Sequence, residues 1–176
     1  MAKEPPDEAR FRREREDLDL LFRAHYAEIV RYLAVRLGSR EEAADLACDV
    51  FAEAVRSAPR LRWRGRPVLA WLYRVAANMA ADRLRQRGRE VPVEHVPEQA
   101  VEDHDTLPDR EALLRALGHL PADQQLAVHL RLVEDRPFAE VARLMGRSPA
   151  ACQMLVLRAG RTLRSLLEVE GVHAER

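Results

Sequence analysis

Apolar residues recur at every third or fourth position along most of the chain, the spacing of amphipathic helices. The first stripe covers residues 18–37 and stops at Gly38, a residue typical of helix C-termini. Ser39, followed by Glu42 three positions later, forms a capping box that predicts the start of a second helix. A third stripe covers residues 67–86, with a proline in its first turn. The first half of the chain is therefore predicted to be a bundle of helices.

The second half shows the same periodicity after an interruption. Residues 90–108 contain three prolines and six acidic residues and have no periodic pattern, which predicts an extended linker. Further helices are predicted over residues 109–118, from Pro121, and over the ranges 137–145 and 149–168. Because no stretch alternates as a strand does, we predict an all-α fold of two small helical domains joined by an acidic flexible linker.

The last two helices have the pattern of a helix-turn-helix. Gly146 lies at the turn, where a positive φ is needed, and Ser148 can cap the next helix with Pro149 at its first position. An αα-hairpin without a DNA role is the alternative, but the long basic second helix favours DNA binding. The residues expected to face outward on that helix are Ala150, Gln153, Met154, Leu157 and Arg158.

Charge is strongly segregated although the formal net charge is zero. Residues 60–89 contain nine arginines and a single acid, Asp82, whereas residues 90–109 contain seven acids and no lysine or arginine. Only Lys3 among the 29 basic residues is a lysine, so coding bias explains the choice of arginine. It does not explain the clustering, which indicates interaction surfaces.

The basic segment also carries aromatic and amide side chains. Residues 60–66 alternate arginines with Trp63 on a predicted loop, and the next helix adds Arg74 and Asn78. Arginines hold phosphates while aromatic faces stack on unpaired bases, so this mixture suits single-stranded DNA. The alternative is a solvated basic face with Trp71 and Tyr73 in the core, which we expect for those two; for Trp63 both interpretations remain open.

Other classes of protein find little support in the sequence. Cys48 and Cys152 lie on apolar stripes, so we expect both to be buried thiols and predict no metal site. We find no nucleophile–base pair or phosphate-binding glycine loop, so neither an enzyme nor a cofactor is expected. The charged start lacks a signal peptide's apolar core and no apolar run could span a bilayer, which predicts a cytoplasmic protein without membrane insertion.

Three motifs match one family in order and separation. Residues 45–51 (DLACDVF) resemble its Asp-Leu-x-Gln-Asp-Val-Phe motif, and residues 71–78 (WLYRVAAN) with 82–85 (DRLR) resemble its Trp-Leu-Tyr-x-Ile-Ala-x-Asn…Asp-x-x-Arg segment. Residues 120–124 (LPADQ) and the helix-turn-helix resemble its C-terminal domain. From roughly residue 20 to 167, the chain resembles the extracytoplasmic-function (ECF) sigma factors of the sigma-70 class.

The resemblance implies a division of the chain. It places sigma region 2 at residues 11–89, a linker at 90–108 that would thread the polymerase's RNA path, and sigma region 4 at 109–170, with tails at 1–10 and 171–176. Region 2 would bind core RNA polymerase and melt promoter DNA, and region 4 would bind the minus-thirty-five element. The implied partners are core RNA polymerase, promoter DNA and an anti-sigma factor.

The resemblance also assigns residues. Core polymerase would bind at Asp45, Asp49, Val50, Phe51 and Glu53. The minus-ten element would meet Arg60, Arg62, Trp63, Arg64, Arg74, Asn78, Arg83 and Arg85. The minus-thirty-five element would meet Arg147, Ser148, Ala150, Gln153, Met154, Leu157, Arg158 and Arg161.

Some positions depart from the family pattern. Cys48 replaces the usual glutamine, and the recognition helix carries Met154 and Leu157 near positions where the family has polar or basic residues. Those two could contact thymine methyl groups or a protein partner, and the sequence leaves both open. A helix-turn-helix repressor or activator acting on duplex DNA is the alternative function, but it leaves the acidic face at residues 45–51 and the basic aromatic segment without a role.

Overall fold

The computed structural model describes residues 17–60, 62, 65–90 and 108–169, and all regular structure in these ranges is helical. The predicted tails, the interior of the predicted linker (91–107), Trp63 and Arg64 lie outside the described residues. The helices are α1 (Leu18–Leu37), α2 (Arg40–Ser57), a short 3₁₀ turn (Ala58–Arg60), α3 (Val68–Glu90), α4 (Pro108–Gly118), α5 (Ala122–Val128), a π-helical turn (His129–Val133), α6 (Phe138–Met145) and α7 (Pro149–Val169).

The predicted stop and start signals between α1 and α2 are confirmed. Gly38 has a φ of 72° and its N–H donates to the Ala34 carbonyl at 2.9 Å, which closes the end of α1. The Ser39 hydroxyl oxygen accepts from the backbone N–H of Glu42 at 3.3 Å. The Glu42 carboxylate, however, forms an ion pair with Arg87 at the far end of α3. Its side chain therefore joins two helices.

Helix α3 extends beyond its predicted end near Gln86 and reaches Glu90. The side chain of Arg87 accounts for part of this extension. It donates to the Leu37 carbonyl at 3.2 Å and pairs with Glu42, so the last turns of α3 are attached to the junction between α1 and α2. Periodicity could not show this stabilisation, because it comes from residues distant in the chain.

The first module, α1 to α3, is a three-helix bundle in which every helix packs against the other two. Its interior is apolar and closely packed, as the helical stripes predict. The side chains with no exposed surface are Ile29, Leu33, Ala43, Ala47, Val50, Leu72, Ala76 and Ala80.

Among its described side chains, the second module, α4 to α7, has a small apolar centre of its own, formed by Leu120, Val128 and Ala159. Five other buried side chains of this module belong to the same apolar cluster as the first module: Leu130, Val141, Ala142, Leu144 and Cys152. Helix α1 packs against α4, and α3 packs against α6. Because a domain of about 60 residues buries too little surface to be very stable alone, this shared core stabilises the second module.

Candidate nucleic-acid and polymerase interfaces

Helix α2 presents an acidic face. Asp45 and Asp49 are exposed one turn apart, and Glu53 follows a turn later, half-exposed. Hydrogen bonds from Ser57 and Arg56 hold the pKa of the Glu53 carboxyl below its ordinary value. The three carboxylates thus line one face of the helix, as predicted.

The two apolar residues assigned to this face do not lie at its surface. Val50 has no exposed surface and Phe51 is 6% exposed. In this structure both side chains therefore pack in the core on the inner side of α2, beneath the acidic face. The ring of Phe51 meets Phe22 edge-on at 5.1 Å, and Phe22 stacks on Tyr26 at 4.4 Å. Phe22 is 41% exposed, although the helical stripe predicted burial.

The expectation that Cys48 is buried is wrong, because its side chain is exposed. It lies one residue before Asp49, on the outer part of α2, and its thiol interacts with Tyr26. Burial and this thiol raise the pKa of the Tyr26 hydroxyl. Phe22, Tyr26 and Cys48 therefore extend the acidic face with a mixed aromatic and thiol surface that sequence reasoning assigned to the core.

The basic segment places most of its described cations at the surface. Arg60, Arg62, Arg74 and Arg85 are exposed, Arg85 forms an ion pair with Asp82, and Arg83 is partly buried. Asn78 is also exposed, one turn after Arg74 on the same side of α3. This face of α3 offers a guanidinium and an amide side by side, a suitable pair for a phosphate and an unpaired base.

The aromatic residues of α3 pack in the interior, as expected. Tyr73 is 1% exposed, and Trp71 is partly buried against the same core. The Tyr73 hydroxyl donates to the Glu28 carboxylate at 2.6 Å. Burial raises the pKa of Tyr73 far above its ordinary value, and the negative charge of Glu28 raises it further. Tyr73 is a structural residue that ties α3 to α1.

Helices α6 and α7 form the predicted helix-turn-helix. Gly146 ends α6 with a φ of 65°, and the Ser148 hydroxyl oxygen accepts from the Ala151 N–H at 3.1 Å. Pro149 is the first residue of α7. The residues assigned to the minus-thirty-five element are all exposed: Arg147, which pairs with Asp123, and Ser148, Ala150, Gln153, Met154, Leu157, Arg158 and Arg161.

A partly buried polar cluster joins the two modules, and sequence reasoning did not predict it. On α1, Glu28 accepts from Arg136 at 2.8 and 2.9 Å. Also on α1, Arg31 donates to both oxygens of Glu134 at 2.8 Å. His129 lies between Tyr32 and Tyr73, with ring centroids 5.4 and 5.9 Å away. Each ion pair crosses from α1 to the segment that precedes α6.

Burial and charge shift the pKa values in this cluster in opposite directions. Burial, reinforced by Arg31 and Arg136, lowers the pKa of His129 to about 4, so the ring is neutral near pH 7. Burial alone would raise the pKa of Glu134, but the hydrogen bond from Arg31 and the nearby positive charges outweigh it and lower that pKa. The carboxylate of Glu134 is thus held in its charged form at the contact.

Among the described residues, no group of three or more His, Cys, Asp or Glu side chains could hold a metal ion. Across the same ranges, no helix combines the length and the apolar character that a membrane crossing requires.

Comparison with known proteins decides the family. A model described as Sigma-70 region 2 matches residues 21–90, and one described as Sigma-70, region 4 matches residues 110–163. The ECF RNA polymerase sigma factor SigD of Mycobacterium tuberculosis is 32% identical over 161 residues, which cover 83% of this chain and 74% of SigD. The chain belongs to the ECF sigma factors.

The other similarities are consistent with this membership. The ECF sigma factor BldN of Streptomyces coelicolor is 33% identical over 150 residues, 79% of this chain, but the match spans only 56% of BldN. The sigma factor RpoE of Bartonella quintana, solved in complex with the anti-sigma factor NepR, superposes with a TM-score of 0.61. That match covers 88% of this sigma factor and 98% of RpoE at 24% identity, so it shows the fold.

Proposed function

We propose that this sigma factor binds core RNA polymerase and directs it to promoters, where it recognises and opens the DNA. The observation that carries the proposal is the placement of three distinct surfaces on one chain. An acidic helix face, an exposed arginine–asparagine pair and an exposed recognition helix lie on α2, α3 and α7. A repressor of duplex DNA would require only the last of these.

The acidic face of α2 docks on the polymerase. Asp45, Asp49 and Glu53 supply the charge, and the neighbouring Phe22 supplies exposed aromatic surface. Aromatic side chains in a partly apolar patch contribute strongly to interfaces, whereas rim charges mainly steer association. The docking surface therefore includes α1 as well as α2.

The loop and α3 hold the minus-ten element in its opened form. Arg60, Arg62 and Arg85 bind phosphates, while Arg74 and Asn78 receive an unpaired base. Trp63 and Arg64 belong to the same predicted loop. Extruding a base costs a few kcal/mol, which stacking and hydrogen bonds in such a pocket return.

Helix α7 enters the major groove at the minus-thirty-five element. Arg147 and Ser148, just before α7, and Gln153 on the helix make phosphate and base-edge contacts, and Met154 and Leu157 meet thymine methyl groups. Between the modules, the seven acids of residues 90–109 follow the path of the transcript through the polymerase. We place this activity in the cytoplasm, with an anti-sigma factor as its regulator, as the RpoE–NepR complex suggests.

Reconstituted transcription tests the proposal. The purified chain, added to core polymerase with a library of promoter fragments, should confer initiation at a defined set of start sites. Binding to duplex DNA with no initiation in the presence of core polymerase would instead support a repressor or activator. Asp45→Ala with Asp49→Ala should weaken association with core polymerase, whereas Glu41→Ala, an exposed acid at the start of α2, should leave it unchanged.

A further inference from the structure

The exposed face of α7 carries apolar side chains at its centre. Met154 is 42% exposed and Leu157 is 55% exposed, and the two lie one turn apart. The opposite side of the helix is anchored, because Cys152 and Ala159 have no exposed surface. At about 100° per residue, Met154 and Leu157 each lie within roughly 30° of the direction opposite the buried pair. They are therefore not the edge of the apolar stripe that faces the core.

The first turns of α7 contain no basic side chain. In a helix-turn-helix, the first residues of the second helix contact the base edges in the major groove. Residues 149–157 include no arginine or lysine, and Gln153 is the one amide side chain among them. Arg147, at the turn before the helix, already has a carboxylate partner in Asp123. Because arginine and lysine are the side chains that read guanine through O6 and N7, the first turns of α7 cannot make that contact.

Basic side chains begin further along the helix. Arg158, Arg161 and Arg164 are exposed and recur at every third position on the outward side of α7. At about 1.5 Å per residue, Arg158 lies roughly 14 Å from Pro149 along the helix axis. The major groove is about 12 Å wide, so guanidiniums at this distance meet phosphate oxygens at its rim. Such contacts fix the position of a helix on the duplex but do not read its sequence.

The outward side chains of the first turns match two kinds of base edge. Thymine presents a methyl group in the major groove, and apolar side chains such as Met154 and Leu157 contact it favourably. Glutamine pairs with adenine through N6 and N7, and Gln153 is exposed beside Met154. Over its whole length α7 has three arginines and one acid, Glu168. This positive balance around the apolar pair favours an anionic duplex over the apolar groove of a protein partner.

We propose that α7 reads its promoter element through thymine methyl groups and one adenine, without a guanine contact, so that the selected element is rich in A·T pairs. This base preference rests on the proposed function for the placement of α7 in the major groove. Affinity and specificity are then divided along the helix. The arginines hold phosphates, whereas Gln153, Met154 and Leu157 choose the bases. Each contacted methyl group contributes roughly fourfold to the affinity, a factor that corresponds to about 0.8 kcal/mol.

Selection from a random duplex library tests the base preference. The full chain, alone and in complex with core polymerase, is used to retain duplexes, and their affinities are measured by fluorescence anisotropy. We expect A·T pairs at the positions that contact the start of α7. Replacing a thymine of the element by deoxyuridine removes only the methyl group, and should weaken binding roughly fourfold for each contacted methyl. The same replacement in the flanking pairs is the control and should leave the affinity unchanged.

Two variants link the methyl effect to particular side chains. Met154→Ala and Leu157→Ala should each weaken binding to the thymine duplex and lose the sensitivity to deoxyuridine at one position, which a double-mutant cycle detects as coupling. Arg158→Ala should instead weaken binding to every duplex equally and reduce the slope of the salt dependence by about 0.9. Leu132→Ala is the matched control, since this leucine is 65% exposed but lies outside the helix-turn-helix. Circular dichroism should show full helix content in every variant.

Three results would overturn the inference. The first is a selected element with guanine at the positions that α7 contacts, or an element that binds equally well as its deoxyuridine form. The second is wild-type affinity in Met154→Ala and Leu157→Ala, because the pair would then face a protein partner. The third is failure of both the chain and its polymerase complex to retain any duplex.

These outcomes are separable from the proposed function. Methyl-dependent binding by a chain that never confers initiation supports the base preference and refutes the sigma activity. Initiation from promoters that are insensitive to deoxyuridine at the element read by α7 does the reverse.

Discussion

Glu28 and Arg136 lie 108 positions apart in the sequence, and one guanidinium nitrogen of Arg136 donates to both carboxylate oxygens of Glu28. The same carboxylate accepts from the buried hydroxyl of Tyr73. Glu28 is therefore the point at which α1, α3 and the second module meet. A buried carboxylate is costly unless it is paired and hydrogen-bonded, and here it has both kinds of partner.

Glu28→Gln should destabilise the protein although the shape of the side chain is retained. The amide can still accept from Tyr73, but Arg136, 21% exposed, loses its buried counter-charge and keeps only Glu140. We expect a loss of about 2 kcal/mol in the free energy of unfolding, measured by urea titration, since breaking a partly buried pair leaves one charge uncompensated. Glu41→Gln, at an exposed position of α2, is the control. An equal loss of unfolding free energy in that variant would contradict this account.

Acid should weaken the packing around His129. A histidine whose pKa falls from 6.5 to about 4 on folding takes up a proton more readily when unfolded, so stability is complete above pH 6.5 and decreases as the pH falls towards 4. The contribution amounts to about 3 kcal/mol, from the size of the shift. As the pH falls below about 4.5, the ordinary pKa of a glutamate, the lowered pKa of Glu134 adds a further loss, because protonation removes its pairing with Arg31. Thermal unfolding between pH 7.5 and 4 measures how steeply the stability decreases with pH.

The variant His129→Phe distinguishes the contribution of the histidine to the pH dependence of stability from the contribution of the carboxylates. Phenylalanine keeps a ring between Tyr32 and Tyr73 but cannot titrate, so the decrease in melting temperature between pH 6.5 and 5 should become shallower. An unchanged slope would show that other groups control stability in that range.

Two of the three described glycines with a positive φ allow backbone strain to be separated from steric crowding. Gly38 has a φ of 72° and open space around it, whereas Gly146 has a φ of 65° and the Arg66 guanidinium against it. Either change to alanine should cost about 1 kcal/mol from the left-handed backbone. Only Gly146→Ala should also displace Arg66 and thereby loosen the contact between modules, so Arg66→Ala should show coupling with Gly146→Ala and none with Gly38→Ala in a double-mutant cycle.

The two thiols should react at very different rates. Cys48 is exposed on α2, whereas Cys152 is fully buried, and burial raises the pKa of its thiol. A water-soluble thiol reagent should modify one cysteine in the native chain and two in denaturant, with Cys48→Ser removing the fast reaction. Rapid labelling of Cys152 in the native protein would contradict the packing of α7.

Arg74→Ala combined with Asn78→Ala should abolish promoter opening while binding to core polymerase survives. Both side chains are exposed, so stability should change by less than about 0.5 kcal/mol. Permanganate reactivity of unpaired thymines should fall by at least roughly tenfold, because each lost stacking or hydrogen-bond contact is worth about 1–3 kcal/mol. Arg23→Ala is the matched control. Loss of core binding instead would mean that α3, and not α2, docks on the polymerase.

Local signals in the sequence predicted most helix boundaries, because a cap depends on residues within one turn of each other. Gly38, Ser39, Gly146 and Ser148 all act where the pattern placed them. The two errors of burial have one origin. The exposure of Phe22 and Cys48 depends on how α1 crosses α2, and helical spacing alone does not fix that crossing.

The sequence by itself determined the helices, the separation of basic and acidic segments and the motifs that define the family, since each depends on residues close in the chain. Only the tertiary structure decided how the two modules meet. In the sequence, Glu28 and Arg31 look like an ordinary solvated pair on α1, but α3 and the second module bury Glu28 and supply a partner to each of them. Their partners lie more than 100 residues away, and the choice of those partners depends on shape and burial, which no local pattern records.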